Sequence, residues 1–521
     1  MSEFLKKRNY PNLTWWKSSL LCLLSAGLLI FSVPKWNLFF LAWIWACPIS
    51  LVIVSPKTKL RGAFLYGWLT GLAIHAGGFY WLQETVERFG NLTPLISWGI
   101  FFFFVIASGL SYGIFSILVK ILLKTPLPFP LSMGFSIVLI ESFFPHLFPW
   151  NIGMSHWAFP LSIQSAEIWG CSGISAIIMI FNGIIFEKIA GDAGWLERTK
   201  KMEITAKVAA MTFILLLLGG ALRMENLGSN EKSMPSLKVG IVQPNISIEK
   251  KKDPSWGLRN LWLLQSLSSN LQQRGVRLIV WPETSYPFII SRDSKTDFEN
   301  SRKRLGHLEV AVLFGALSHG EGKIYNSAFI TTPDGKLIGP SDKNNLVLFG
   351  EYNPLHDLLP ESIKIRYPEI ARRGLSPGSN PVPLEYEGIK IGVLNCFEDI
   401  LSNYTTKVVK AGGDFLVNIT NDAWFGDTAE PWQHFALSVF RTIENRRYLV
   451  RSVNTGVSGV INLLGKTIYR SNTFEQEFEI IGIRLSKAKT LFTIIGDWLK
   501  WFSLFIVFIT ILINLIQRKN L

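Results

Sequence analysis

With 521 residues the chain is long enough for more than one domain, and 49% of them are hydrophobic, too large a share for an ordinary soluble enzyme and typical of a membrane protein. Its 52 lysines and arginines against 38 acids leave +14 at neutral pH, a balance suited to nucleic acid or to an anionic membrane surface. The sequence has no zinc-finger spacing, no Walker-type glycine loop and no basic low-complexity tail, so nucleic acid is set aside as a partner and the membrane is retained.

Seven apolar segments precede residue 223, at roughly 13–33, 36–54, 63–82, 94–119, 129–145, 168–187 and 205–222, and an eighth runs from about Trp498 to Ile516. Most are long enough to cross about 30 Å of hydrocarbon. The fifth is short, carries Glu141 and runs into the aromatic, proline-rich stretch Phe143 to Pro160, which reads as an interfacial loop. Glu141 and His75 fall at or within predicted spans, and structural hydrogen bonding is the first expectation for both. The first segment is a retained helix rather than a signal peptide, because six more spans follow and Cys22 lacks a cleavage context.

Orientation follows from the positive charges Lys6, Lys7 and Arg8, then Lys57, Lys59 and Arg61, Lys120 and Lys124, Arg198, Lys200 and Lys201, and Arg518 and Lys519. All fall on one side if the spans alternate, and by the positive-inside rule that side is the cytoplasm. The expected organisation is therefore a seven-span helical region over residues 1–223, an external domain over 224–495, and a last helix with a short cytoplasmic tail over 496–521.

The external region alternates strand-like runs with amphipathic helices. Leu237–Val242, Arg277–Trp281, Val310–Ala316, Ala328–Thr331, Ile389–Leu394, Asp414–Asn418, Tyr448–Val453 and Val457–Ile461 read as strands; Gly257–Gln273, Thr405–Ala411 and Trp432–Asn445 read as helices. Some strands follow each other through turns such as Pro333-Asp334-Gly335 and others are separated by helices, which predicts a mixed sheet covered by helices.

Of four cysteines, Cys22, Cys47 and Cys171 lie in apolar segments and Cys396 stands alone in the polar part, so no disulfide framework exists there. With no CxxC and no histidine-rich cluster, neither a metal nor another cofactor is expected. Cys396 ends the run Ile389–Leu394 at a strand-to-helix turn, where a helix dipole and unpaired amide N–H groups would favour its thiolate. A buried, inert cysteine is the alternative. Glu283 likewise follows a strand, after Trp281-Pro282, and would serve as general base if burial lifts its pKa; a solvated acid is the alternative. Between them Lys343 precedes an apolar run and Glu351, and a fixed ammonium there would stabilise a developing oxyanion, although one lysine among many is ordinarily solvated.

Taken together, Trp281-Pro282-Glu283-Thr284, Lys343 to Tyr352, Asn395-Cys396-Phe397-Glu398, Asn421 to Gly426, Pro431 to Phe435 and Arg451 through Asn454-Thr455-Gly456 carry a resemblance. The chain resembles the apolipoprotein N-acyltransferases, membrane enzymes whose external domain is similar to the nitrilase or carbon-nitrogen hydrolase superfamily. The resemblance extends to seven spans before that domain and one after it. It implies a multi-span helical membrane bundle plus an external α/β domain of the nitrilase type, an α-β-β-α sandwich. It also implies a Glu283–Lys343–Cys396 triad supported by Glu351 and Glu398, without cofactor. The implied reaction moves a fatty acyl chain from a glycerophospholipid through a Cys396 thioester to the α-amino group of a diacylglyceryl-modified apolipoprotein. Its place would be the periplasmic face of a bacterial inner membrane, in contact with membrane lipids.

Three positions depart from the family's habit: Leu348 where proline is frequent, Lys252 where an aromatic precedes Asp253-Pro254, and Phe397 where tyrosine follows the nucleophile. Phe397, Trp424 and Phe425 are candidates to line a substrate pocket, the core being the alternative for Trp424 and Phe425. His434 is not expected to take part directly, since Glu283 supplies a base. Two competing readings remain: a tethered amidase that passes its acyl group to water, and a transporter with an inert Cys396.

Overall fold

In the computed structural model the described residues are 10–90, 92–292, 304–366 and 374–519. The chain divides into two compact units, one of Met1–Gln83, Leu95–Glu225 and Ile495–Leu521, the other of Glu84–Pro94 and Asn226–Ile494. Lys6, Lys7 and Arg8 lie outside the described residues.

The first unit is helical. Among the described residues, five helices are long and apolar enough to cross a membrane: Trp15–Ser32, Pro94–Leu122, Ala166–Asp192, Lys200–Glu231 and the helix beginning at Leu499. Leu60–Gly78 approaches Pro94–Leu122 so closely that a Cβ at Gly71 would stand 2.4 Å from the Gly109 carbonyl oxygen, the small-residue contact on which helix pairs in lipid rely. The second predicted span is not one helix. It breaks into a 3₁₀ turn, Phe39–Trp43, and a short helix, Cys47–Val54. Buried Asn182 makes the break tolerable, accepting from the Ala46 N–H at 2.8 Å and donating to the Ala42 carbonyl at 2.8 Å. Lys120, read above as a loop charge, is buried and donates to the carbonyls of Ile53 and Ser55 at 2.7 and 2.9 Å, closing the end of the same short helix.

Phe143–Pro160 forms no α-helix beyond Phe143 and carries a 3₁₀ turn at Ile152–His156. Its second half is packed, with Trp150, Ile152, Met154 and His156 buried, while Phe143 and Phe159 stay exposed; Glu141 accepts from Asn151 Nδ2 and the Ile152 N–H at 2.8 Å each and holds the segment against its helix. His75 binds the Gly71 carbonyl oxygen at 2.8 Å, so both ionisable groups make the structural hydrogen bonds expected of them.

The second unit holds two sheets instead of the single mixed sheet that periodicity predicts. The first has the order β13-β1-β2-β4-β5-β6, from Glu477–Arg484, Ser236–Gln243, Leu278–Val280, Ala311–Gly320, Lys323–Thr331 and Leu337–Asp342, with β3 (Ile290–Ser291) pairing β4. The second has the order β12-β11-β10-β9-β8-β7, from Thr467–Arg470, Gly459–Ile461, Leu449–Val453, Phe415–Thr420, Ile389–Asn395 and Leu384–Tyr386. Each contains parallel and antiparallel pairs. They face one another through Ser452 of β10, whose hydroxyl lies 3.0 Å from the carbonyls of Val242 in β1 and Val280 in β2. The helix Gly257–Gln272 covers the first sheet, with Leu261, Leu264 and Leu271 in a core with Val242, Ile279 and Trp281. The helices Ser402–Lys410 and Glu430–Asn445 cover the second. The result is the nitrilase-type helix-sheet-sheet-helix sandwich.

Candidate active site

Three strand ends supply the site: β2 and β6 from one sheet and β8 from the other. Directly after β2, Trp281 is buried with its indole N–H on Ser268 Oγ at 2.8 Å, which fixes the chain just before Glu283. The carboxylate of Glu283 is buried, and its Oε1 accepts from Asn326 Nδ2 at 2.7 Å and from Lys343 Nζ at 3.3 Å. Gly315 of β4 is what admits this turn, since a Cβ there would stand 2.5 Å from the Thr284 nitrogen and 2.8 Å from Glu283 Cα.

Lys343 leaves β6 with its backbone N–H on the Asn326 carbonyl at 2.8 Å and its side chain fully buried. Its Nζ lies 2.9 Å from Glu351 Oε1 as well as 3.3 Å from Glu283 Oε1. Burial works against the charge, but Glu283, Glu351 and the neighbouring Cys396 outweigh it and hold the ammonium well above the ordinary lysine range. Glu351 is held in turn by the Val347 N–H on its Oε2 at 3.0 Å.

Cys396 opens a 3₁₀ turn, Cys396–Ile400, with φ of 50°. A left-handed cysteine at a strand end is a strained conformation that lifts the side chain out of the strand. Asn418 of β9 steadies it, its Nδ2 donating to the carbonyls of Cys396 at 2.9 Å and Leu394 at 3.1 Å. The expected low-pKa thiolate is overturned. Although the residue is partly exposed, burial and then Glu283 push its thiol up to about 12, against the pull of Lys343 and His434. The physical reason is that desolvation of the sulfur in the interior outweighs any favourable turn geometry.

Glu398 is fully buried and binds four donors: Oε1 takes the Asn344 and Asn345 N–H groups at 2.7 and 2.9 Å and Asn345 Nδ2 at 3.3 Å, and Oε2 takes the Asn395 N–H at 2.9 Å. Burial pushes its carboxyl up to about 7 in spite of these bonds. Phe397, Trp424 and Phe425 are partly exposed, and the Trp424 ring lies under Lys252, whose Nζ is 4.9 Å from its centre. Leu348 is exposed.

Beneath the nucleophile turn a second buried cluster centres on His434. Its Nε2 lies 2.7 Å from Asp399 Oδ1 and its Nδ1 3.3 Å from Asp422 Oδ1, while Arg451 pairs with the other oxygen of Asp399. Burial disfavours an imidazolium here, but Asp422 and Glu430 override it and push the ring up to about 9. Among the described residues Asp422, Glu430 and His434 are the group whose ligand atoms converge tightly enough for a cation, within 4.8 Å.

Three participants escape a reading of the sequence. Asn326, which joins Glu283 to Glu351 through contacts of 2.7 and 3.3 Å, precedes the predicted strand Ala328–Thr331 because polar Tyr325-Asn326-Ser327 hides the true start of β5. Lys251, whose Nζ donates to the Glu283 carbonyl at 2.7 Å, sits in a run of three lysines that looks like a solvated face. The Asp399–His434–Asp422 cluster joins residues distant in sequence, and its one signal was a lone histidine beside the motif Asn421–Gly426.

Comparisons with known proteins identify the family. Residues 238–491 match the carbon-nitrogen hydrolase family, and residues 25–184 match the apolipoprotein N-acyltransferase N-terminal domain. The apolipoprotein N-acyltransferase of Geobacter metallireducens is 33% identical over 493 residues, covering 92% of both chains. That of Rhizobium rhizogenes is 30% identical over 496 residues, covering 89% of this chain and 90% of the relative. Among solved structures, Saccharomyces cerevisiae Nit3, of the nitrilase superfamily, is 18% identical with a TM-score of 0.37, covering 48% of this chain and 90% of its own.

Proposed function

The chain belongs to the apolipoprotein N-acyltransferase family, and on that premise we propose that it carries a fatty acyl chain from a membrane glycerophospholipid, through Cys396, to the α-amino group of a diacylglyceryl-cysteine at the start of an apolipoprotein. It is an acyltransferase with several candidate membrane-spanning helices and bacterial relatives. We place the catalytic unit on the periplasmic face, with both termini in the cytoplasm, on the distribution of positive charge.

In the first half-reaction Glu283 takes the proton from Cys396 Sγ as the sulfur bonds to the ester carbonyl carbon. The carbonyl electron pair moves onto oxygen, and the Lys343 ammonium stabilises that oxyanion. Collapse breaks the carbon–oxygen bond, the glycerol oxygen receives the proton from Glu283, and lysophospholipid leaves. In the second half-reaction a neutral amine attacks the thioester and gives a proton to Glu283. The carbon–sulfur bond breaks and the sulfur takes that proton back, restoring the thiol. A thioester is an easier acyl donor to an amine than an oxygen ester, which is why the cysteine earns its place.

The observation that carries this reading is geometric: Lys343 Nζ is held in the interior 3.3 Å from Glu283 Oε1 and 2.9 Å from Glu351 Oε1, and Cys396 stands on a left-handed turn at the end of β8. Burial pushes the Cys396 thiol up, so the sulfur needs a base during attack, and Glu283 is the carboxylate whose charge acts on it most strongly. Glu351 and Glu398 position Lys343 and the turn that begins at Cys396. Steady-state kinetics test the scheme: it requires ping-pong behaviour, with lysophospholipid released before lipopeptide is added. Lysophospholipid that appears only with both substrates present would overturn it.

A further inference from the structure

We propose that Lys251, seconded by Lys252, is the subsite for the phosphodiester group of the acyl donor. The inference rests on the acyl-transfer reading above. Lys251 lies in the short helix Ile248–Lys252 that follows β1, and its Nζ reaches the backbone carbonyl of Glu283 at 2.7 Å. That bond anchors it on the backbone of Glu283, and its charge acts on both Glu283 and Cys396. No carboxylate among the described residues lies within ion-pair distance of it. Its only hydrogen bond there is to a neutral carbonyl, so two of its three donors remain to be used.

The other cations near the site are already balanced. Lys343 is held between Glu283 and Glu351, Arg88 is paired with Glu84, and Lys250 lies over the Trp256 ring at 4.8 Å. Lys251 has a neutral carbonyl for its partner and no ion pair among the described residues, and burial pushes it down to about 8, so an arriving anion would favour its charge. Lys252, next along the chain, extends over Trp424 at 4.9 Å and adds a second positive charge farther out. A glycerophospholipid fits this arrangement chemically, because its scissile ester and its phosphodiester are carried on the same three-carbon glycerol. With the ester carbonyl at Cys396 the phosphate lies a few bonds away, within the field of an adjacent ammonium. Lysine is suited to this task as a compact point charge with rotatable donors.

The test uses the full-length protein in mixed micelles, with phosphatidylethanolamine and diacylglycerol of the same chains as alternative donors, and follows the acyl mass gained at Cys396. The two donors share the ester and differ in the phosphodiester, so the ratio of their rates reads the subsite alone. Wild type should favour the phospholipid. Lys251→Gln should lower that preference at least tenfold, mainly by raising the phospholipid concentration for half-saturation. Lys251→Arg should keep most of the preference, and Lys252→Gln should lower it less. Equal losses on both donors in Lys251→Gln, or an unchanged preference, would overturn the subsite while leaving acyl transfer standing. Wild-type protein that takes an acyl group from neither donor would instead overturn the acyl-transfer reading and the subsite with it.

Discussion

Glu398 Oε1 accepts the Asn344 N–H at 2.7 Å while its Oε2 accepts the Asn395 N–H at 2.9 Å. One carboxylate therefore ties the residue after Lys343 to the residue before Cys396, joining a strand end of one sheet to a strand end of the other. Glu398→Gln keeps the shape but replaces one acceptor oxygen by an amide that can only donate. At least one buried N–H then loses its partner, at a cost of about 1–3 kcal/mol. We expect a lower thermal midpoint together with a loss of activity larger than the stability change explains, because the relative placement of Lys343 and Cys396 relaxes. An unaltered rate of Cys396 acylation in the folded variant would show that the tie is not needed.

Lys343→Arg should be strongly impaired although the charge is kept. The ammonium occupies a fully buried position between Glu283 and Glu351, at 3.3 and 2.9 Å, and a planar guanidinium is larger and directs its donors differently. A rate loss on the order of 100-fold is expected from misplacing one oxyanion stabiliser. Single-turnover acylation measures it, and near-normal turnover would remove Lys343 from the chemistry.

His434 gives a stability that depends on pH in a defined direction. Its ring is raised from the usual 6.5 to about 9 in the folded protein, so the folded state holds the proton more tightly than the unfolded chain. That contribution is complete below about pH 6.5 and is lost as pH rises through about 9, with a total on the order of 3 kcal/mol by linkage. The groups facing the ring are Asp399, Asp422, Glu430 and Cys396, with Arg451 behind Asp399. Thermal unfolding of wild type should therefore fall more steeply between pH 7 and 9.5 than that of His434→Gln. Parallel curves for the two proteins would contradict the assignment.

Two residues of the candidate site stand out in the sequence because chemistry-bearing side chains end hydrophobic runs: Val280-Trp281 before Glu283, and Val393-Leu394 before Cys396. What the sequence concealed was mostly non-local. β13 pairs with β1 from Ser236↔Arg484 to Gln243↔Glu477, and nothing within Glu477–Arg484 reports that its partner lies at the other end of the domain. β6 contains Gly339-Pro340, which reads as a turn. Two stacked sheets look like one in periodicity, because strands such as β9 and β10 are buried on both faces. In the helical unit, hydrophobicity alone fused Phe39–Trp43 and Cys47–Val54 into one span, since the polar group that satisfies the break, Asn182, comes from a distant helix. The thiol's ionisation is hidden from the sequence for a related reason: local turn geometry favours a thiolate, while burial, a tertiary property, pushes the thiol up.

The most direct measurement of the central claim is intact-protein mass spectrometry after incubation with phospholipid alone. One fatty acyl group should be gained at Cys396, absent in Cys396→Ala and in Glu283→Gln, and should pass to a diacylglyceryl lipopeptide with a free amino terminus when that is added. An acyl group released instead as free fatty acid, at the same rate with or without lipopeptide, would mean that water is the acceptor and would contradict the account.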